Sequence, residues 1–419
     1  MSGAAAVHLM AKPAGPLCNL DCRYCFYLEK ERLFPPRERF LMAPEVLRAY
    51  VEQTIRATPG PEVLFTWQGG EPLLRGLDFY RQALAWQREL AGGKRVRNTL
   101  QTNGVLLDDG WCAFFAEAGF ELGVSLDGPE ALHDAARVDK QGRGSFARVM
   151  AGIARLRAHG VPFNVLVTVS DAVSRQPAAV YDFLVGEGFD HLQFNPVVER
   201  RPAAADRALG LSFAQPPGSA RAPERLETTP DTVDPQRYGE FLVTVFDHWV
   251  RRDVGRVHVM NFEWALAAFM GLPATVCLFA ADCGRALVVE HDGSVFSCDH
   301  YVYPSHRLGH LLDDDVTALA ESPRQRAFGQ AKSALPAECR RCTWLGACHG
   351  ECPKNRFATS ADGEAGLNYL CPAYKRYFRH AAPYLNAMAR LIALGEPAAR
   401  VMDAIRGPVA ILRPAASAA

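Results

Sequence analysis

Three cysteines near the N-terminus have the spacing of an iron–sulfur site. Cys18, Cys22 and Cys25 form a C-x3-C-x2-C pattern. Three thiolates can bind three irons of a [4Fe–4S] cluster and leave the fourth iron open, whereas a purely structural cluster usually takes four cysteines. An open iron can bind a substrate or cofactor, as the open position of a catalytic zinc site does. The alternative is a zinc knuckle completed by a distant histidine, but C-x3-C-x2-C is not a usual zinc spacing.

Eight further cysteines lie in the C-terminal half and could form two closed clusters. They are Cys277, Cys283, Cys298, Cys339, Cys342, Cys348, Cys352 and Cys371. Four thiolates for each of two [4Fe–4S] clusters would use all eight and leave no open iron. One or two structural zinc sites are the alternative, because Cys339 and Cys342 are also spaced as a zinc-binding pair. The remaining cysteine, Cys112, lies on the apolar stripe of a predicted helix and is interpreted as a buried core thiol.

The composition is that of a globular protein without net charge. At roughly 150 residues per domain, 419 residues suggest two or three domains. Hydrophobic residues make up 49% and charged residues 22% of the chain, so extensive disorder is excluded. The 46 Lys and Arg balance the 46 Asp and Glu, which argues against a nucleic-acid or anionic-membrane partner. No apolar run approaches the roughly 18 residues of a membrane span. No basic segment begins a signal peptide, so the clustered cysteines indicate a reducing cytoplasm.

The first 200 residues alternate short apolar runs with amphipathic stretches, which predicts βαβ units around a parallel sheet. Strands are predicted at 7–11, 63–67, 96–101, 122–126, 163–169 and 191–194. Helices are predicted at 43–57, 77–90, 109–118, 146–158 and 178–187. About six repeats are fewer than the eight of a closed barrel. We therefore expect an α/β fold with a partial, open (β/α)6 barrel over residues 1–200.

Four further segments are predicted beyond the barrel. They are an insertion or linker at 201–235, a helical connector at 236–271, a cysteine-rich domain at 272–380, and C-terminal helices with a fraying tail at 381–419. The insertion is rich in Pro, Ala and Gly and lacks apolar periodicity, so it is expected to be exposed to solvent. The connector contains an amphipathic helix at 238–250 and a short helix at 261–270, and terminal helices are predicted at 380–394 and 398–405. Metal sites rather than a large core are expected to organise the cysteine-rich domain.

A Gly-Gly-Glu-Pro turn follows the predicted strand at 63–67. Its paired glycines, Gly69 and Gly70, would let the backbone approach a ligand closely. The turn lies at the C-terminal end of a barrel strand, where the active sites of α/β barrels collect. A tight strand-to-helix connection would have the same sequence signature.

The three-cysteine motif, with Tyr24 as the aromatic residue before its last cysteine, and the GGEP turn together resemble the radical S-adenosylmethionine (SAM) enzymes. The resemblance implies that the open iron of the cluster binds the amino and carboxylate groups of SAM. One electron would cleave SAM to methionine and a 5′-deoxyadenosyl radical, which takes a hydrogen from the substrate. The residues implied to contact SAM are Tyr24, Gly69, Gly70, Glu71 and Ser125.

The C-terminal half resembles the SPASM domain of radical SAM peptide-modifying enzymes, and one branch closely. The segments 193–199, 246–255, 283–286 and 292–304 are similar to the anaerobic sulfatase-maturating enzymes, and the likeness extends over about residues 8–390 except 201–235. It implies three [4Fe–4S] clusters, one binding SAM and two auxiliary. The first auxiliary cluster would be bound by Cys277, Cys283, Cys298 and Cys352, and the second by Cys339, Cys342, Cys348 and Cys371.

This resemblance implies oxidation of a Cys or Ser side chain of a sulfatase polypeptide to Cα-formylglycine. The radical would remove a Cβ hydrogen, Asp299 beside Cys298 would accept the thiol or hydroxyl proton, and the surplus electron would leave through the auxiliary clusters. From cysteine, the thioaldehyde formed in this way would hydrolyse to the aldehyde. Tyr27 and Gln68 match positions thought to line the peptide site, and Arg137 is a candidate contact for peptide or cofactor. A reductant such as flavodoxin or ferredoxin would supply the first electron.

Several of these residues could have purely structural roles, and the chain as a whole could have a different function. Asp299 could cap a turn or pair with an arginine, and Arg137 could form an ordinary surface salt bridge. Tyr27 and Gln68 could be packing and turn residues, and Ser125 could cap a strand end. The chain could instead modify a small ribosomally made peptide, although the block around Asp299 argues against this. It could also carry metal or electrons without catalysis, but the GGEP turn would then have no purpose.

Overall fold

One mixed sheet runs through the molecule and contains every strand that the sequence predicts. The computed structural model describes residues 7–35, 38–219 and 227–406. Within these ranges, ten strands pair in the order β10-β9-β8-β1-β2-β3-β4-β5-β6-β7. They are β1 (His8–Ala11), β2 (Glu62–Trp67), β3 (Arg95–Thr102), β4 (Phe120–Ser125), β5 (Phe163–Val169), β6 (His191–Pro196), β7 (His258–Val259), β8 (Ala286–Val289), β9 (Ser294–Phe296) and β10 (Arg307–His310). A separate hairpin pairs β11 (Ala358–Thr359) with β12 (Ala365–Leu367).

Strands β1 to β6 are parallel neighbours, which confirms the predicted partial barrel. The α-helices in the described ranges are α1 (Pro44–Ala57), α2 (Leu77–Leu90), α3 (Asp109–Ala118), α4 (Glu130–Ala136), α5 (Phe146–Ala158), α6 (Asp171–Ser174), α7 (Pro177–Gly186), α8 (Ala204–Ala208), α9 (Pro235–Arg252), α10 (Met260–Phe269), α11 (Val316–Ala320), α12 (Pro323–Gln330), α13 (Ala337–Arg340), α14 (Leu345–Cys348), α15 (Cys371–Ala393) and α16 (Val401–Arg406). Helix α15 begins earlier than predicted, because Pro372 suits the first turn of a helix. The tail beyond residue 406 lies outside the described residues.

Buried apolar side chains fill the space between the sheet and its helices. Along β5, Val165, Val167 and Val169 are at most 1% exposed, while the residues between them are only partly buried. This alternation follows from the two-residue period of a strand. It leaves the other face of the barrel sheet accessible for a site. Cys112 is fully buried beside Phe115 in the same core, so its interpretation as a core thiol is confirmed.

The first three strands of the cysteine-rich segment, β8 to β10, extend the barrel sheet. Strand β8 pairs in parallel with β1, from His8 opposite Ala286 to Ala11 opposite Val289. Strand β9 returns antiparallel to β8 through a turn at Asp292–Gly293, in which Gly293 has φ +91°. A partial barrel leaves β1 as an edge with unpaired backbone groups, and β8 satisfies them.

The segment from 201 to 219 is packed, so the prediction of a solvent-exposed insertion is wrong for this part. Leu211 and Ala214 are 3% and 7% exposed. The Ser212 N–H donates to the Glu29 carboxylate, and the Tyr301 hydroxyl lies 3.3 Å from the Pro217 carbonyl oxygen. The buried apolar residues are too sparse to give a periodic pattern, which is why the sequence did not reveal them. Residues 220–226 of the predicted insertion lie outside the described ranges.

None of the helices in the described part of the chain has both the length and the apolar character that crossing a membrane requires.

Candidate active site

The three-cysteine motif lies on the loop that follows β1. The Cys25 N–H donates to the Cys22 carbonyl at 3.0 Å, and the Asn103 side-chain nitrogen lies 3.6 Å from the Cys18 sulfur. Burial raises the pKa of Cys18 and of Cys22 to about 12, and negative charge on Cys25 contributes in the same direction. Thiolates are therefore stable here only beside a cation, which a coordinated metal supplies. The donor set fits the three-cysteine side of a [4Fe–4S] cluster.

The Gly-Gly-Glu turn after β2 is held against this cysteine loop. The Gly70 N–H donates to the Gly15 carbonyl and the Glu71 N–H to the Leu17 carbonyl, each at 2.8 Å. A Cβ on Gly70 would lie 2.2 Å from the Leu17 carbonyl oxygen. Only glycine permits so close an approach. The turn and the cysteine loop therefore form one unit.

The Glu71 carboxylate is fully buried and is oriented by three hydrogen-bond donors. It accepts from the Asn103 N–H at 2.8 Å, the Thr102 hydroxyl at 2.9 Å and the Leu73 N–H at 3.0 Å. Burial raises the pKa of Glu71 to about 7, and these hydrogen bonds oppose the increase. A fixed carboxylate beside the cysteine loop can bind a cationic amino group, which is the SAM contact that the resemblance implies.

Tyr24 and Arg137 share the carboxylate of Asp127. The Tyr24 hydroxyl donates to Asp127, and the Arg137 guanidinium pairs with Asp127 at 2.9 Å. The Arg137 side chain is 9% exposed and the Asp127 side chain 1%, so the alternative of a surface salt bridge for Arg137 is wrong. Ser125 ends β4, and its hydroxyl accepts a hydrogen bond from the Gln101 amide at 3.1 Å. The ion pair between Asp127 and Arg137 fixes the hydroxyl of Tyr24, which lies within the cysteine motif.

The eight C-terminal cysteines lie in two groups of four. One group lines a single cavity and consists of Cys339, Cys342, Cys348 and Cys371. The other group consists of Cys277, Cys283, Cys298 and Cys352. Burial raises the pKa of Cys298, and negative charge on Cys352 and Cys277 contributes, so Cys298 lies near both. In this second group, burial raises the pKa of Cys283 to about 11 and of Cys352 to about 12, and negative charge on Cys277 contributes to both. In the described ranges, no three His, Cys, Asp or Glu side chains are arranged to hold a single metal ion. Two groups of four thiols suit two closed clusters.

Asp299 directly follows Cys298 and faces the end of β1. Its carboxylate forms an ion pair with the ammonium of Lys12, and its side chain is 24% exposed. Burial alone would raise the pKa of this carboxyl, but the Lys12 ammonium and other nearby cations hold it below its usual range. Asp299 therefore carries a negative charge at a position that a substrate can reach. The ion pair is with a lysine, not with the arginine that the sequence suggested as an alternative.

Tyr27 and Gln68 both lie near the end of β1, where Lys12 follows the strand. The Lys12 ammonium is 3.5 Å from the centroid of the Tyr27 ring, and the Tyr27 hydroxyl donates to the Glu290 carboxylate at 2.6 Å. The Gln68 N–H donates to the carbonyl of Ala11, the residue before Lys12, at 2.9 Å. The side-chain oxygen of Gln68 is buried and has no hydrogen-bond partner in the described part of the chain. Such an unsatisfied acceptor is suited to a substrate N–H.

Known families match both halves of the chain. The radical SAM superfamily matches residues 13–184, and the iron–sulfur cluster-binding domain SPASM matches residues 282–343. The serine-type anaerobic sulfatase-maturating enzyme of Bacteroides thetaiotaomicron is 41% identical over 96% of this chain and 95% of its own length. This chain belongs to the anaerobic sulfatase-maturating enzymes. The predicted family is confirmed.

Other sulfatase-maturating enzymes are similar over the same length. The cysteine-type enzyme of Clostridium perfringens is 30% identical over 92% of this chain and 98% of its own. The solved structure of native anSMEcpe with bound AdoMet shares 30% identity and has a TM-score of 0.79, and the match covers 91% of this chain and 99% of that one. The likeness confirms the predicted fold, a radical SAM barrel followed by a SPASM domain. AdoMet is SAM, the cofactor that the cysteine and GGEP motifs predict.

Sequence reasoning missed three residues that hold this sulfatase-maturating site together. Lys12, Asp127 and Glu290 each contact a predicted site residue, but none of them belongs to a spaced motif. One signal was available for Lys12, because it comes directly after a predicted strand, at the end where barrel active sites collect. A lone charged residue is more often a solvated surface group, so the pattern alone gave no prediction.

Proposed function

We propose that this chain oxidises a serine or cysteine side chain of a sulfatase polypeptide to Cα-formylglycine by radical SAM chemistry. The observation that carries the proposal is the ionised, partly accessible carboxylate of Asp299, which follows Cys298 and pairs with Lys12 at the barrel mouth. Relatives named as serine-type and cysteine-type sulfatase-maturating enzymes support this activity, because they are similar over almost the whole chain.

The cofactor would be held at the mouth of the barrel. Cys18, Cys22 and Cys25 would bind the cluster with the open iron, and Tyr24, Gly69, Gly70, Glu71 and Ser125 would contact SAM. When bound and supplied with one electron, SAM yields a 5′-deoxyadenosyl radical that removes a Cβ hydrogen from the substrate. Glu71 suits the SAM amino group, because its carboxylate is buried and fixed by three donors. Arg137 would act on the cofactor side, since its partner Asp127 also holds Tyr24.

Asp299 would accept the proton of the substrate hydroxyl or thiol. A general base must be ionised and within hydrogen-bond reach of the proton, and Lys12 favours the ionised form of Asp299. Tyr27 and Gln68 would line the peptide site beside it. The unpartnered side-chain oxygen of Gln68 offers an acceptor for a peptide N–H.

The remaining clustered cysteines would hold two closed auxiliary clusters. The proposed sets are Cys277, Cys283, Cys298 and Cys352, and Cys339, Cys342, Cys348 and Cys371. Cys298 would place the first set next to Asp299 and so next to the oxidised carbon. All twelve cysteines of the chain are free thiols, which suits a reducing compartment. We therefore place the enzyme in the cytoplasm, with flavodoxin or ferredoxin as the kind of reductant that supplies the electron.

Serine is the expected target residue. The serine-type relative from Bacteroides thetaiotaomicron is 41% identical to this chain, against 30% for the cysteine-type relative from Clostridium perfringens. The test is mass spectrometry of matched sulfatase-derived peptides, one with serine and one with cysteine, after anaerobic incubation with SAM and dithionite. We expect the aldehyde on the serine peptide and turnover of the cysteine peptide at a different rate. SAM cleavage without aldehyde on either peptide would refute the proposed function.

A further inference from the structure

Lys12 is a buried lysine at the junction between the barrel and the cysteine-rich segment. It follows β1 directly, and its N–H donates to the Val289 carbonyl at the end of β8 at 2.9 Å. Its side chain is only 2% exposed. An ammonium removed from water costs several kcal/mol unless it is paired. The partners of Lys12 must therefore account for its burial.

Those partners are parts of the proposed site. The Lys12 ammonium pairs with the Asp299 carboxylate and lies 3.5 Å from the centroid of the Tyr27 ring, close enough for a cation–π contact. A Cβ built on Gly69 would lie 3.5 Å from the Lys12 Cβ, so the glycine turn passes close to the lysine stem. One side chain thus contacts the proposed base and a proposed peptide-site residue, and its stem passes close to the turn assigned to SAM.

Lys12 and Asp299 are fixed to different degrees by the backbone. Lys12 continues a strand that is paired on both sides, with β2 and with β8. Asp299 begins a short 3-10 turn, Asp299–Tyr301, beyond the end of β9. No ladder of strand hydrogen bonds sets the position of its carboxylate. The contact with Lys12 therefore ties a residue on a short turn to the rigid edge of the barrel.

We propose that Lys12 is a positioning residue, which holds the Asp299 carboxylate at the barrel mouth and orients the Tyr27 ring beside it. This inference rests on the proposed function, because it takes Asp299 as the base. Removing one partner of a buried ion pair leaves the other charge unpaired, so some stability is lost with Lys12. A misplacement of a reacting group by about 1 Å can reduce the rate by about 100-fold. Loss of Lys12 should therefore reduce the rate as well as lower the Tm.

The test compares Lys12→Met, Asp299→Asn and the double variant as full-length, reconstituted enzyme with the serine peptide. For Lys12→Met we expect kcat for aldehyde formation to fall about 100-fold, with KM, iron content and SAM affinity close to wild type. The double variant should be no slower than Asp299→Asn alone, because Lys12 acts through Asp299. With Lys12→Ala, added methylamine should restore part of the lost rate by replacing the ammonium.

Lys94→Met is the matched control. Lys94 lies at the other end of the barrel, before β3, and its ammonium binds the backbone carbonyls of Ile55 and Thr58. We expect its kcat to remain at the wild-type value. The proposal is overturned if Lys12→Met keeps the wild-type kcat. It is also overturned if the effects of Lys12→Met and Asp299→Asn on the rate are additive, or if Lys12→Met loses only SAM affinity or iron.

A failure of the proposed function gives a different result. If wild-type enzyme cleaves SAM but forms no aldehyde, the proposed function fails. Asp299 is then not a general base, and Lys12 has no base to position. The pairing itself is then tested by the same three variants in thermal unfolding of the holoenzyme. Non-additive shifts in Tm would uphold Lys12 as the residue that positions Asp299. Additive shifts would overturn it.

Discussion

The contact between the Gly-Gly-Glu turn and the cysteine loop can be tested with a single methyl group. In Gly70→Ala, the added Cβ would lie 2.2 Å from the Leu17 carbonyl oxygen, 2.6 Å from its carbon and 2.7 Å from the Pro16 carbonyl oxygen. All three atoms belong to the backbone, so no change of rotamer can relieve the clash. Leu17 immediately precedes Cys18, so the first cluster ligand must move with it.

The loss of stability in Gly70→Ala can be worked out from the contacts between the turn and the loop that would be lost. Overpacking costs about 1–3 kcal/mol. The two 2.8 Å hydrogen bonds that join the turn to the loop, from Gly70 and Glu71, are worth about 1 kcal/mol each. We expect Gly70→Ala to lose about 3–5 kcal/mol of stability. We also expect the iron content to fall from about twelve to about eight per chain, because only the three-cysteine cluster depends on this loop.

The assay is iron per chain after anaerobic reconstitution, together with SAM binding by equilibrium dialysis and thermal unfolding. Gly186→Ala is the control, because Gly186 ends α7 and a Cβ there would meet nothing within 4 Å. The control should keep all its iron and bind SAM normally. If Gly70→Ala also keeps about twelve irons and the wild-type SAM affinity, the turn and the loop do not form one rigid unit, and the reasoning is refuted.

Three further variants test the base, the buried carboxylate and the second auxiliary set. Asp299→Asn should still cleave SAM, while aldehyde formation measured by mass spectrometry falls by about 10²–10⁴-fold; an unchanged aldehyde yield would remove Asp299 as the base. Burial raises the pKa of Glu71 from its ordinary 4.5 to about 7. Its contribution to the stability of the SAM-free protein is therefore full below pH 4.5 and is lost as the pH rises through about 7. Denaturant unfolding should show a loss of about 3 kcal/mol over this window that Glu71→Gln lacks, and parallel pH curves for the two proteins would contradict it. The double variant Cys339→Ala and Cys342→Ala should lose about four irons yet still cleave SAM, whereas loss of all iron would show that the clusters assemble together.

The barrel was predictable because its signals are local. The β-branched run at 163–169 became β5 (Phe163–Val169) with its bounds unchanged, and the apolar stripe at 109–118 became α3 (Asp109–Ala118). Both rest on the period of a strand or a helix, which neighbouring residues set by themselves. The cysteine motifs were equally easy to recognise, since the spacing of ligands along the chain is also a local signal. The two groups of four, by contrast, interleave along the chain, so spacing alone did not divide them.

The parts that the sequence did not reveal depend on contacts between distant residues. Leu211 and Ala214 are buried without a periodic pattern, because an irregular segment needs only a few apolar side chains to pack. The sequence allowed Arg137 either a ligand contact or a surface salt bridge, and only the fold brings Asp127 and Tyr24 to it. Charge pairs of this kind form no spaced motif. Nothing near either partner in the sequence distinguishes them from solvated side chains.

The pairing of β1 with β8 explains how a site can form between segments that are far apart in the sequence. A partial barrel has an unpaired edge at β1, and such an edge must be covered. Because β8 covers it in parallel register, the hairpin that follows carries Cys298 and Asp299 to the end of β1, where Lys12 lies. The same strand end leads into the three-cysteine loop. The need to close one sheet edge is therefore sufficient to bring the proposed base within reach of the proposed cofactor site.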